Sequence, residues 1–390
     1  MMLSALCLLG VLGVFKYFNF FTLSFIQLAD WAGLPLSQPV VNIILPVGIS
    51  FYVFQAISYI VDVKRGVIPG SRSLLDVAFF VGFFPQLVAG PIVRAGEFFP
   101  QMVKDHHIRE LPVKGILVLF LGGFLKKAVI ADNIAPIFVD PVFADPSLYS
   151  APAIILSVFA YAVQIYCDFS GYSEMAIATS RAFGYRLPRN FNAPYLSTSI
   201  TEFWRRWHIS LSHWLRDYLY ISLGGNRGGA AKTYRNLMLT MILGGLWHGA
   251  SWNFVIWGAL HGGVLSIERF LRIGTFISRN VWTKLFGGMA AFYIVCLCWV
   301  FFRAVDLNAS LYMAGAMLGA GASGETGFSI AAWLMLAGLA AAHAITFRFF
   351  LGERLAALPD LVFYAAIGVW VALMLPFIPT EVTPFIYFQF

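Results

Sequence analysis

Two histidines carry the chemistry this chain could perform. His208 lies in the run Thr201–Gly229, TEFWRRWHISLSHWLRDYLYISLGGNRGG, and His248 follows forty residues later in Gly244–Gly249, GGLWHG. A neutral imidazole in a restricted site can take a proton from a hydroxyl and return it to a leaving thiolate near neutral pH. A titratable side chain is costly to keep in or beside a bilayer, so each is a site candidate. On a helix, His208 would share one face with Arg205 and Ser212. The glycines around His248 would let another backbone or a ligand approach closely. A histidine that merely hydrogen-bonds between helices is the plain alternative. His213, His261 and His343 are assigned to that alternative, and His106 and His107 read as loop residues.

Other groups could support such a pair. Asp168 and Glu174 stand in QIYCDFSGYSE, where an acid at membrane depth could orient a histidine, relay protons or pair with an arginine. An ion pair with Arg205 or Arg206 that fixes the fold fits equally well. Asn226 and Arg227, between two glycine pairs, could hold phosphate on exposed backbone N–H groups, or simply form an interfacial turn. No G-x-S-x-G elbow, Walker motif or Cys/His metal cluster is present. The four cysteines read as small hydrophobes.

The elements that must position these residues are membrane helices. Of the 390 residues 59% are hydrophobic and 12% charged, with mean hydropathy +0.77. Soluble domains are nearer half apolar and a quarter charged. The formal charge of +7 sits in short loops between apolar runs, which suits topology and lipid headgroups rather than nucleic acid. With about 20 residues per crossing, spans are expected near 3–24, 42–61, 75–92, 113–131, 150–167, 170–184, 235–250, 252–271, 286–303, 327–349 and 360–378. Pro85, Gly90 and Pro91 make the third re-entrant or broken, and Asp168 to Glu174 suggest two pieces around a polar break. Residues 199–223 are too charged to span. Trp204, Trp207, Leu211, Trp214, Leu215 and Tyr218 recur at helical spacing, so an amphipathic helix capped by Ser199 or Thr201 is expected at the interface or in a protein cavity. Basic loops at Lys64–Arg72, Arg181–Arg189 and Arg205–Arg235 are expected on the cytoplasmic side.

WRRWHIS and LWHG together resemble the membrane-bound O-acyltransferases (MBOAT) of the alginate O-acetyltransferase AlgI type. LPVGISFYVFQAISYIVDVKRG (45–66), FFPQLVAGPIVR (83–94), YCDFSGYSEMAIA (166–178), FNAPY (191–195), WVFFRA (299–304) and the terminal FIYFQF (385–390) are similar to that family as well. The resemblance implies an all-α polytopic membrane protein, a ring of about 9–11 transmembrane helices around a central funnel with interfacial and re-entrant helices. It is read as one integral domain over residues 1–390, lacking N-terminal helices usual in the family.

The resemblance also implies acyl transfer from a thioester donor to a hydroxyl. His248 occupies the family's catalytic position and His208 its second characteristic position. The expectation is that a multi-pass protein of the bacterial inner membrane moves acetyl from cytoplasmic acetyl-CoA for O-acetylation of an exported polysaccharide such as alginate, directly or through a periplasmic partner. His248 would be the general base and His208 would orient or polarise the thioester carbonyl. Trp204, Trp247, Arg205, Arg206, Asn226, Arg227 and Asp168 complete the expected substrate-binding set, with Lys232 near the donor phosphates. No metal or bound cofactor is expected. The alternatives are D-alanyl or other acyl transfer from a carrier protein, as in DltB-like relatives, and a non-enzymatic transporter.

Overall fold

A computed structural model describes residues 2–37, 43, 46, 48–70, 73–87, 90–277, 280–380 and 385, and among these no strand is present. Apolar runs with few helix breakers form the main helices: α1 (Leu3–Trp31), α2 (Ile49–Lys64), α3 (Leu74–Gly82), α4 (Val113–Phe124), α5 (Ala151–Ala182), α6 (Ile200–Arg206), α7 (Ile209–Trp214), α8 (Ala230–His248), α9 (Trp252–Phe270), α10 (Val281–Arg303), α11 (Ile330–Phe349) and α12 (Asp360–Phe377). Among the described residues, α1, α5, α10, α11 and α12 are long and apolar enough to cross a membrane. The chain is a multi-pass membrane protein. The other expected spans are shorter, more polar or interrupted helices; the one placed at 42–61 begins on positions largely outside the described residues.

Burial separates the roles of the spans. Of the most apolar stretch of α5, 83% lies inside the protein, against 6% for α1 and 11% for α11 and α12. α5 is the central mast, and α1, α11 and α12 offer most of their surface outward, where lipid would meet it.

Two expectations are corrected here. The polar break foreseen between 150–167 and 170–184 does not exist; α5 runs unbroken for 32 residues. Its acids are neutralised from α4, which continues as a π-helical turn over Leu125–Ala131. Lys127 Nζ lies 2.7 Å from both Asp168 and Asp132, and Lys126 Nζ lies 2.5 Å from Glu174. The partners are therefore these lysines rather than Arg205 or Arg206. A π-turn changes which residues share a face, and both lysines meet α5. Glycines permit the contact: a Cβ at Gly123 would meet the Gly171 carbonyl oxygen at 2.6 Å.

The amphipathic segment is also interrupted. Ser199 caps α6 by accepting from the Glu202 backbone N–H at 3.1 Å, and Glu202 accepts in return from Thr198. α6 then stops at Arg206, and α7 starts after His208, whose backbone is left-handed (φ 42°, ψ 54°). Arg205, His208 and Ser212 therefore do not share a helix face. The apolar stripe does face inward, with Trp207, Leu211, Trp214 and Leu215 buried. The expected break after α3 is observed at Phe83, where a 3-10 turn over Phe84–Gln86 follows; positions 88 and 89 lie outside the described residues. Arg65 donates to the Asp217 carbonyl and to Ser222, so two of the basic loops are neighbours, as a shared face requires. Arg72 and, apart from Phe385, the terminal FIYFQF run lie outside the described residues.

Candidate active site

α8 and α9 form the hairpin that carries His248. Close approach is built in by glycine: a Cβ at Gly245 would meet the Phe254 carbonyl oxygen at 2.2 Å, and one at Gly258 would meet that of Met241 at 2.4 Å. α8 ends at His248, and Gly249 leaves the helix in an extended conformation. The last carbonyls of a helix lack intrahelical donors. Here α1 supplies them. Tyr17 Oη donates to Leu246 O at 2.7 Å, Lys16 Nζ donates to His248 O at 3.2 Å, and Lys16 also donates to Trp247 O. Lys16 Nζ stands 5.9 Å from the centre of the Trp247 ring.

Trp247 brings the two histidines together. Its indole centre lies 5.0 Å from the His248 ring and 6.2 Å from the His208 ring. His248 is further enclosed by Trp257 at 5.2 Å and Phe302 at 5.1 Å, and His208 by Phe169 at 4.7 Å. Both histidines are buried. The αL break at His208 gives the pair its geometry, because a continuous helix would carry the ring elsewhere. Such a strained non-glycine residue costs about 1–3 kcal/mol and tends to mark functional positions.

The other expected residues divide. Trp204 joins the cluster indirectly: its Nε1 donates to His261 Nδ1 at 3.3 Å, and both rings pack on Trp257. His261 thus links α6 to α9, as the plain alternative has it, and His343 of α11 packs on Tyr166 of α5. Arg206 is held by Glu202 at 2.7 Å and by the Asn192 carbonyl, and Arg205 is exposed. Asn226 and Arg227 occupy an exposed turn where Tyr220 donates to Asn226 Oδ1. Asp168 is committed to Lys127. The structure brings together His208, His248, Trp247 and Trp204; it does not bring Arg205, Arg206, Asn226, Arg227 or Asp168 to the imidazoles.

An aromatic ladder leads from the histidines to a cavity. Phe54 lies 5.1 Å from Trp247 and stacks on Trp214 at 3.7 Å, and Trp214 lies 5.3 Å from Tyr218. Tyr218 lines a cavity of about 480 Å³ together with Asp62, Arg65, Arg94, Glu97 and Asp217. Arg65 and Arg94 both lie over the Tyr218 ring. Burial would raise the Asp217 carboxyl, but hydrogen bonds from Arg216 and Arg94 outweigh it and hold the group below its ordinary value.

Sequence reasoning missed Lys16 and Tyr17 as caps, Phe54 and Trp257 as walls, and Asn190, whose side-chain oxygen lies 3.2 Å from His208 Nδ1. A lysine interrupting an apolar span was a usable signal for the first. Asn190 had none beyond its nearness to FNAPY.

The membrane-bound O-acyltransferase family model matches residues 65–303. The chain is 50% identical over 317 residues to the probable alginate O-acetylase AlgI of Azotobacter vinelandii, covering 80% of this chain and 61% of that protein. Against the peptidoglycan O-acetyltransferase of Helicobacter pylori it is 39% identical over 346 residues, covering 82% and 64%. The teichoic acid D-alanyltransferase of Bacillus subtilis is 28% identical over 281 residues, covering 66% and 69%. The chain thus spans less than two thirds of the length of the first two.

Proposed function

This chain belongs to the membrane-bound O-acyltransferase family, and from that premise we propose that it transfers an acetyl group from a cytoplasmic thioester, acetyl-CoA, toward an exported polysaccharide such as alginate. The transfer runs directly to a sugar hydroxyl or through a partner enzyme in the periplasm, which places the chain in the bacterial inner membrane. The observation that carries the reading is the burial of His208 and His248 on one indole, that of Trp247.

In the reaction, the accepting hydroxyl oxygen bonds to the thioester carbonyl carbon while an imidazole takes the hydroxyl proton. The carbon–sulfur bond breaks, and the same proton neutralises the leaving thiolate. Apolar rings around the pair exclude water that would hydrolyse the donor. The cavity beside Tyr218 is the place this reading gives to the donor's phosphates, with Arg65 and Arg94 as their partners in place of Arg205, Arg206 and Arg227.

The test is the acetyl ester content of surface polysaccharide in a strain lacking this gene, complemented with wild type or with His248→Ala. Wild type should restore esters and His248→Ala should not, at equal membrane abundance; esters restored by His248→Ala would refute the reading. The D-alanyltransferase relative supports a second reading, transfer of D-alanine from a carrier protein. It predicts alkali-labile D-alanine, not acetate, in the complemented strain.

A further inference from the structure

The loop ahead of α6 presses Asn190, 1% exposed, against His208. Its hydrogen bonds determine which imidazole nitrogen carries the hydrogen. The Ile92 backbone N–H donates to Ser210 Oγ at 2.9 Å, so the Ser210 hydroxyl hydrogen turns to its other neighbour, Asn190 Oδ1, at 2.9 Å. The Ser210 backbone N–H donates to the same Oδ1 at 3.3 Å. Both are donors, so the amide atom facing them is the oxygen, and Nδ2 donates the other way to Ser173 Oγ of α5 at 3.2 Å. His208 Nδ1 also faces that oxygen, at 3.2 Å. It must donate. A neutral imidazole carries one N–H, so Nε2 bears the lone pair. Nε2 is buried with no hydrogen-bond partner among the described residues.

We propose that Asn190 is a positioning residue that holds His208 as its Nδ1–H tautomer and leaves its Nε2 a hydrogen-bond and proton acceptor within the histidine pair. This rests on the acyl-transfer reading above and sharpens it. Polarising a thioester carbonyl would require a hydrogen on Nε2, which the Asn190 contact disfavours. In this tautomer His208 accepts at Nε2 beside the His248 imidazole and does not donate to the thioester carbonyl. The proton that leaves the hydroxyl as the carbon–oxygen bond forms, and reaches the thiolate as the carbon–sulfur bond breaks, therefore moves through a pair whose His208 member is the acceptor. The left-handed backbone at His208 has a purpose in this scheme: it lets the Ile209 N–H reach the Asn190 carbonyl at 2.9 Å while the ring meets the Asn190 side chain. The titratable group nearest His208 on α8 is His248, with Lys16 of α1 behind Trp247. α5 presents Phe169 and Ser173, its nearby Asp168 being paired with Lys127. In the loop, Arg189 donates to the Phe191 carbonyl.

The experiment uses the full chain in lipid nanodiscs with ring-¹⁵N-labelled histidine, and His208→Asn to assign the signal. The expected result is a protonated Nδ1 and an unprotonated Nε2 for His208; a hydrogen on Nε2 overturns the proposal. This measurement needs no turnover, so it decides the tautomer even if no acetyl transfer is found and the functional reading fails. Where transfer is measured with acetyl-CoA, Asn190→Ala should lower kcat roughly 10–100-fold through ring misplacement with little change in KM. Asn190→Asp keeps the acceptor and adds charge that favours the imidazolium, so the acid limb of its kcat profile should move to higher pH by about one unit. A folded Asn190→Ala protein with wild-type kcat, or an unmoved acid limb in Asn190→Asp, overturns it. If Asn190→Ala does not fold, the tautomer and Asn190→Asp decide.

Discussion

At His208 the chain gives up helical continuity, and the residues around it show what replaces the lost hydrogen bonds. The Asn192 backbone N–H donates to Arg206 O and the Ile209 N–H to Asn190 O, both at 2.9 Å, so the break is satisfied by the preceding loop. Buried backbone groups rarely stay unpaired, and this pairing fixes the break at one residue. Asp217 tests local electrostatics at the same scale. Its carboxylate is held below the ordinary value by Arg216 and Arg94 despite burial. A depressed group contributes stability that is fully present above the unfolded pKa, about 3.9, and is lost as pH falls through the lower folded value. Asp217→Asn should therefore lower the unfolding midpoint in detergent at pH 7, and the gap to wild type should narrow below about pH 4. A gap equal at pH 7 and pH 3 would show that charge plays no part.

Helix pairing places the site, and glycine sets its spacing. Two glycines of α9 make the contrast: a Cβ at Gly258 would strike backbone, whereas one at Gly263 would meet nothing within 4 Å. Gly258→Val should force α8 from α9, at about 1–3 kcal/mol for overpacking, with a lower unfolding midpoint and lost transfer. Gly263→Ala should be neutral or slightly stabilising by removing unfolded-chain entropy. Equal effects of the two would refute the close-contact account. The sequence made the existence of most helices legible, because apolar length and caps such as Ser199 act locally. It did not reveal the unbroken α5 or the interruption at His208. Asp168 and Glu174 look disruptive until Lys126 and Lys127 arrive from α4, and the break at His208 depends on Asn190. Both outcomes rest on long-range partners that no local pattern encodes.

Across the whole molecule, the buried mast α5 and the outward-facing α1 divide the work differently from their burial. α1 is the least buried of the five apolar spans, yet Lys16 and Tyr17 hold the end of the helix that carries His248. The histidine pair itself was legible in the sequence as motif; the arginines of the Tyr218 cavity were not, because adjacency in sequence put Arg205 beside the site while the fold turned it outward. Lys16→Met should leave membrane insertion intact, strand the terminal carbonyls at about 1–3 kcal/mol, and cut transfer at least tenfold, with Lys16→Arg restoring part of it. Full activity in Lys16→Met would deny the cap any role. The tie also orders biosynthesis. Lys16 and its carbonyl partner on Trp247 are separated by 231 positions. At about 5–20 residues per second, the lysine waits on the order of 10–50 s for the helix end it serves. During that interval its ammonium has to reach the headgroups by snorkelling, so the surroundings of His248 are completed late, after the hairpin of α8 and α9 has emerged from the ribosome.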